Sequence, residues 1–282
     1  MSGDSAGPEE IARAGRFDPS RPNPARIYDY LLGGKDNFAA DRQAAAELTR
    51  ALPDAAQVAR ANRDFLAAAV HYVAGQGIGQ YVDIGAGLPT PPNVHQCARA
   101  AVPGARVAYI DNDPVVVTHA RALLATDDLV TVLREDARDH QAIISALELE
   151  GFIDLAQPVC VLFVSMLHFM TAAEADAVVA AFRERIALGS YLVISAGVTT
   201  DRNIPVGDQI QAAYGERTTL TGRPAAEIAA YFGDLDLVPP GIVSVTDWPL
   251  EGPAAAQRPV LRRVPAAPTK AGMLAGIGYK PR

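Results

Sequence analysis

The chain has 282 residues, of which 49% are hydrophobic and 20% charged, so it carries ample apolar surface for a sizeable core and disorder is excluded as its dominant state. At about 150 residues per domain, the length allows one elaborated domain or two small ones. Its 25 Lys and Arg against 32 Asp and Glu give a net charge of −7, which excludes a nucleic-acid binder relying on a basic face but not a ligand met locally. The two cysteines, Cys97 and Cys160, form no CxxC pair and are too few for a disulfide framework, which fits a reducing cytoplasm. The opening MSGDSAGPEEIARAG lacks the layout of a signal peptide, and no run approaches the roughly 18 apolar residues of a membrane span. Neither a membrane nor nucleic acid is expected as a partner.

Residues 1–22, rich in proline and glycine, read as a mobile arm, with order beginning near Asn23-Pro24. From 23 to 78 the pattern is helical: ARIYDYLL, a break at Gly33-Gly34, NFAADRQAAAELTRAL, a stop at Pro53, then DAAQVARANRDFLAAAVHYVAG. In the last stretch Val58, Phe65, Ala69 and Val73 form the stripe of an amphipathic helix that Gly75 closes. Beyond Gly79, short apolar runs at 80–85, 105–111, 129–136, 158–166 and 190–196 alternate with helical stretches. Being apolar throughout, these runs suit parallel strands covered on both faces, and five of them with intervening helices imply a doubly wound, mostly parallel α/β sheet. A helix at 223–235, a strand at 241–250 and a final strand at 271–281 complete the pattern, making seven strands with the last antiparallel in a closing hairpin. The proline- and alanine-rich stretch 251–270 reads as an irregular loop, and no second domain is evident.

The sharpest chemical feature is Asp83-Ile84-Gly85-Ala86-Gly87 at the end of the first strand. Open α/β sheets bind ligands beyond the carboxyl ends of their strands, and Gly85 and Gly87 permit a tight turn and a close ligand approach. A glycine-bearing strand-to-helix turn without a ligand would look the same. Two further acids add weight: Asp111 ends the second strand, 24 residues after Gly87, near the spacing at which a carboxylate holds a ribose diol, and Asp136 ends the third, within reach of an adenine edge. Asp83 separates two cofactors. It would repel a dinucleotide pyrophosphate and attract a sulfonium with an α-ammonium group. Thr90 also stands where a dinucleotide fingerprint needs its third glycine. S-adenosylmethionine therefore fits better than NAD. His168, at the end of the fourth strand, is a candidate general base with an ordinary pKa of about 6.5; the alternative is that it packs beneath the adenosyl group. The other histidines lack a two-ligand spacing, so no metal is expected.

These motifs resemble those of class I S-adenosylmethionine-dependent methyltransferases. A fuller resemblance is to a family of S-adenosyl methyltransferase-like proteins found largely in actinobacteria and long labelled a domain of unknown function. It is carried by RIYDYLLGGKDNFAADR (26–42), ARANRDFL (59–66), DIGAGLPTPPNVH (83–95), YIDNDPVVVTHARALL (109–124) and VSMLHFM (164–170). The resemblance implies a Rossmann-like sheet and places Asp83, Gly85 and Gly87 around the amino-acid end of the cofactor. It puts Asp111 and Asn112 on the ribose, Asp136 and Ala137 at the adenine, and Ser165, Met166 and His168 on the floor beside the methyl group. One departure is the stiff run Leu88-Pro89-Thr90-Pro91-Pro92, where many such enzymes continue with a third glycine.

The resemblance also implies that the helices of 23–78 lid the site ahead of a methyltransferase-like domain at 79–282. Gly33-Gly34 interrupts a helix at a cost of about 1 kcal/mol per glycine, so Tyr28, Gly33, Gly34, Lys35, Asn37 and Phe38 are candidates to face cofactor or acceptor; a plain helix-helix turn is the alternative. The leading reading is in-line methyl transfer to a small-molecule acceptor in the cytoplasm. The runners-up are a non-catalytic binding or regulatory protein that keeps the cofactor pocket, and a nicotinamide-dependent oxidoreductase. A blocked region beside His168 would favour the first of these. Apolar residues on the N-terminal helices leave a homodimer open.

Overall fold

The computed structural model describes residues 18–149, 151–201, 203–215, 218–249 and 272–281. Most of the expected arm at 1–22 and all of the expected loop at 251–270 lie outside these residues. The five apolar runs form β1 (Gln80–Ile84), β2 (Arg106–Asp111), β3 (Val130–Arg134), β4 (Cys160–Val164) and β5 (Tyr191–Gly197), all mutually parallel. A last strand, β8 (Met273–Tyr279), pairs antiparallel with β5 from Tyr191↔Tyr279 to Gly197↔Met273. The sheet order is β3-β2-β1-β4-β5-β8-β6, where β6 is the short strand Asp236–Leu237, so the chain reverses direction across the sheet between β1 and β4. That reversal opens the crevice in which doubly wound sheets bind ligands.

Among the described residues eight strands stand where seven were expected, because the penultimate strand is broken. β6 (Asp236–Leu237) and β7 (Val243–Ser244) both pair with β8, one at each half of its length. Pro239 and Pro240 lie between them, and neither carries an N–H for the ladder. The run expected as one strand at 241–250 therefore contributes only two paired residues. Gly276 and Gly278 look like weak points of β8 in sequence. A Cβ at either would come within 2.9 Å of the Phe232 ring, so the missing side chains make room for Phe232 in the turn at 231–234.

Helices cover both faces. On one side lie α3 (Ala55–Gly75), α4 (Val94–Arg99) and α5 (Pro114–Leu123), with Phe65, Val70 and Val73 packed against Tyr81, Leu162 and Val193. On the other lie α6 (His140–Leu149), α7 (Ala172–Arg185) and α9 (Ala225–Ala230), with Ile143, Val178, Phe182 and Ile228 on Val82, Val161 and Leu192. A third cluster joins α1 (Pro24–Leu32), α2 (Ala39–Ala51) and α8 (Gly207–Tyr214) through Ile27, Leu48, Leu52 and Ala213. α8 falls in a stretch that carries no periodic signal of its own, and it packs on the N-terminal helices. α3 serves two clusters: Ala55 and Ala59 belong to the third, and the rest of its apolar face lies on the sheet. Among the described residues no helix is long and apolar enough to cross a membrane.

Helix starts follow their capping residues. Asn23 accepts from the backbone N–H groups of Ala25 and Arg26 ahead of Pro24, and Asp113 does the same for Val115 and Val116 ahead of Pro114. The same two caps bind each other, Asn23 Nδ2 donating to Asp113 Oδ2 at 2.6 Å. Beside them the buried Arg26 guanidinium lies 2.8 Å from Asp41 and 3.9 Å from Asp113. The first helix is thereby tied to the loop that leaves β2.

Candidate active site

A cavity of about 830 Å³ opens over the carboxyl ends of β1 to β5 and is closed above by α1, α2, α3 and α8. Its floor at β1 is the glycine turn. Gly85 and Gly87 adopt φ of +72° and +67°, a region side chains rarely enter. The N–H groups of Gly85 and Ala86 both donate to the Ile110 carbonyl, at 2.8 and 3.1 Å. Against Gly85 packs Met166; a Cβ there would approach the Met166 Cβ to 2.8 Å. Around Gly87, in contrast, nothing comes within 4 Å of that position, so this part of the turn is open.

Asp83 is 5% exposed, lines the cavity, and accepts no hydrogen bond from any described residue. Burial pushes its carboxyl up to about 7, an effect that the nearby Arg63 charge opposes. Asp111 is held differently. Its Oδ2 accepts from Gly87 N–H at 3.0 Å and its Oδ1 from Asp113 N–H at 2.9 Å, while burial still raises it to about 6. Asn112 donates to Asp136 Oδ2 at 3.0 Å, and Asp136 Oδ1 takes the Arg138 N–H at 3.0 Å, so the ends of β2 and β3 form one polar ledge. Ala137 lies beside it on the cavity wall.

After β4 the chain turns at Ser165, the one non-glycine described residue with positive φ, at +59°. Its N–H donates at 3.0 Å to both the carbonyl and the hydroxyl oxygen of Ser195. The Ser195 hydroxyl donates to Asn62 Oδ1 at 2.6 Å, Asn62 Nδ2 donates to the Tyr28 hydroxyl at 2.9 Å, and that hydroxyl donates to the Ala59 carbonyl at 3.0 Å. A continuous chain of hydrogen bonds thus runs from the strained turn at β4, through β5 and α3, to α1.

His168 sits on the short 3₁₀ turn Leu167–Phe169 and is 8% exposed. Its Nδ1 accepts from Gly197 N–H at 3.3 Å, which assigns the ring proton to Nε2. Burial, with the Arg223 charge behind it, lowers the imidazole to about 4. Arg223 is fully buried and donates to the carbonyls of Leu167, Met170, Thr171 and Thr221 at 2.9–3.1 Å, clamping the turn that carries His168.

Every residue expected at the cofactor (Asp83, Gly85, Gly87, Asp111, Asn112, Asp136, Ala137, Ser165, Met166) lines this cavity, as do His168 and Tyr28. Gly33, Gly34, Lys35, Asn37 and Phe38 do not. They build the α1–α2 turn around a different carboxylate: Asp29 Oδ2 accepts from Asp36 N–H at 3.0 Å and from Asn37 Nδ2 at 2.8 Å, and a Cβ on Gly34 would land on the Asp29 carboxyl. Phe38 lies under the Arg26 guanidinium at 5.5 Å, and Lys35 is exposed. Several site residues were missed. Asn62 had a signal, being a polar residue four positions after Val58 and three before Phe65 in the apolar stripe, and so did Ser195 in an otherwise apolar strand. Arg63 stood in the ARANRDFL motif without a role, and Arg223 had no sequence signal.

Buried carboxylate without a partner, open glycine turn and polar ledge together suit a cationic nucleoside cofactor. On a sheet that reverses at this point they define a class I S-adenosylmethionine-dependent methyltransferase. The chain belongs to the S-adenosyl methyltransferase family, whose model matches residues 10–281. It is similar to the crystal structure of a protein from Thermobifida fusca YX provisionally described as a methyltransferase, at 38% identity and a TM-score of 0.82, covering 93% of this chain and 96% of that one. It is also similar to a DUF574 family protein from Streptomyces avermitilis, at 34% identity and a TM-score of 0.84, covering 94% and 100%. No curated protein matches it.

Proposed function

We propose that the enzyme methylates a small molecule held in the part of the cavity beyond His168. The observation that carries this reading is the continuity of the space. The glycine turn, His168 and a far wall of Leu48, Leu52, Phe169, Met170 and Ile210 border one cavity, and its volume lies toward the upper end of the roughly 300–1,000 Å³ typical of small-ligand sites. That is room for a nucleoside cofactor and a modest acceptor side by side, under a roof of helices that a polymer would have to displace. An open acceptor side counts against a protein that only binds cofactor.

When bound, S-adenosylmethionine supplies an electrophilic sulfonium methyl for in-line attack by an acceptor nucleophile. The chain's own part is positioning and the exclusion of water. Asp111 and Asn112 offer acceptor and donor groups to ribose hydroxyls, and the ledge with Asp136 and Ala137 receives the base. Ser165 and Met166 shape the floor at the centre of the site. His168 offers Nε2–H as a hydrogen-bond donor; its Nδ1 is already taken by the Gly197 N–H, and burial with the Arg223 charge behind it makes the ring a weak base, which counts against the general-base role expected from its strand-end position. The acceptor side carries the hydroxyls of Thr199 and Thr221 among apolar walls, which suits an amphipathic molecule bearing a hydroxyl or amine. Methyl-tritiated S-adenosylmethionine, incubated with the enzyme and a fractionated cell extract, tests this. Label is expected in a low-mass product that separates from S-adenosylmethionine and forms only with active enzyme, and transferred label confined to retained protein or nucleic acid would overturn the reading.

A further inference from the structure

Arg63 is a half-buried cation on α3 at the β1 end of the cavity, and the roles set out above do not use it. Only one of its terminal nitrogens is committed: Nη2 donates to the Thr90 carbonyl at 2.5 Å and to the Pro92 carbonyl at 2.9 Å. Among the described residues Nε and Nη1 find no acceptor. Asp83, the unpartnered carboxylate, lines the same end, together with Gly87 and Leu88. The two opposite charges influence one another yet form no ion pair, so each is held apart from the other with hydrogen-bonding capacity left over. The loop Leu88 to Pro92, at the same end, is stiffened by three prolines, and its Thr90 and Pro92 carbonyls hold the Arg63 guanidinium in place.

A ligand group that satisfies both must carry a cation and an anion a short distance apart. We propose that Arg63 binds the carboxylate of the methionine moiety of S-adenosylmethionine while Asp83 takes its α-ammonium group, so that the pair reads the cofactor's amino-acid end as a zwitterion. The proposal rests on the family's cofactor occupying this cavity. It gives a role to the ARANRDFL segment: Asn62 orients the sheet side of the site, and Arg63, one residue on, faces the cofactor. It also accounts for the absent third glycine, since the stiff loop that replaces it presents two carbonyls to fix the guanidinium.

Calorimetric titration of the full chain separates this role from simple pinning of the loop. The ligands are S-adenosylhomocysteine and its decarboxylated analogue, which keeps the amine and lacks the carboxylate. The wild type is expected to favour S-adenosylhomocysteine by roughly tenfold to a hundredfold, the worth of a hydrogen bond to a charged group. Arg63→Met should abolish that preference while leaving the analogue's affinity within about threefold, and Arg63→Lys should retain part of it. If Arg63→Met weakened both ligands alike, or if the wild type did not distinguish them, the proposal would be overturned. Should Arg63→Met fail to fold, Arg63→Lys decides: an undiminished preference would count against the guanidinium as the recognising group, a reduced one for it. A wild type that binds neither ligand would overturn the cofactor assignment itself, an outcome distinct from failure of the Arg63 role.

Discussion

At the scale of single residues, the site is held in a state that favours a bound cation. Asp83 and Asp111 have ordinary pKa values near 3.8, but burial raises them to about 7 and about 6. A carboxyl with a raised native pKa binds its proton more tightly folded than unfolded, so stability falls as pH climbs from the unfolded value through the folded one. The ligand-free enzyme is therefore expected to melt at a lower temperature at pH 8 than at pH 5.5, as far as these two groups govern it. Cofactor affinity should move the opposite way and strengthen as Asp83 ionises. Asp83→Asn should flatten most of both dependences, raising the melting temperature of the free protein at pH 8 while weakening S-adenosylmethionine binding. Scanning calorimetry of the two proteins at both pH values, with and without ligand, reads all of this; a free wild type more stable at pH 8, by an amount that Asp83→Asn removes, would contradict it.

At the scale of elements, the N-terminal helices and the sheet are joined by buried polar contacts rather than by apolar packing alone. Ser195 and Asn62 are 0% and 1% exposed, and each spends its polar atoms on the chain of bonds from Ser165 to Tyr28. Asn62→Ala would leave the Ser195 and Tyr28 hydroxyls short of a partner in a dry setting, at an expected cost of about 1–3 kcal/mol in denaturant unfolding. Asn62→Ala should also release the strained turn at Ser165 and so weaken cofactor binding. A variant with unchanged midpoint and unchanged affinity would show that the chain of bonds is incidental. The five parallel strands were legible because each is an unbroken apolar run between glycines and helical stretches. The edge strand was not, because its pairing is interrupted at Pro239-Pro240 and spans two residues on either side. α8 was not legible either: it has eight residues, one of them buried, and draws its position from α2 rather than from its own periodicity. Arg223 was invisible for a related reason, since its partners are four carbonyls and no acidic residue in the sequence announces them.

At the scale of the whole molecule, parts of the chain far apart in sequence meet over one sheet. The N-terminal helices and the distant α8 share a hydrophobic cluster, so segments far apart in sequence close the same roof. The net charge of −7 says little about function until the fold gathers three of the acids at strand ends. Asp83, Asp111 and Asp136 were legible at those ends because each stands at the end of an apolar run, and residues that end parallel strands share one edge of the sheet whatever their distance in sequence. The turn residues 33–38 were harder, as a paired glycine marks a break without saying what the break accommodates; here it is the Asp29 carboxyl. One cavity is expected to hold the cofactor over β1 to β3 and to leave acceptor space beyond His168. A crystal structure of the complex with S-adenosylhomocysteine tests it most directly. The ribose is expected at Asp111, the base on the Asp136 ledge, the amino-acid end between Asp83 and Arg63, and open space toward Phe169 and Met170. A ligand bound elsewhere, or one that fills the region beyond His168, would contradict it.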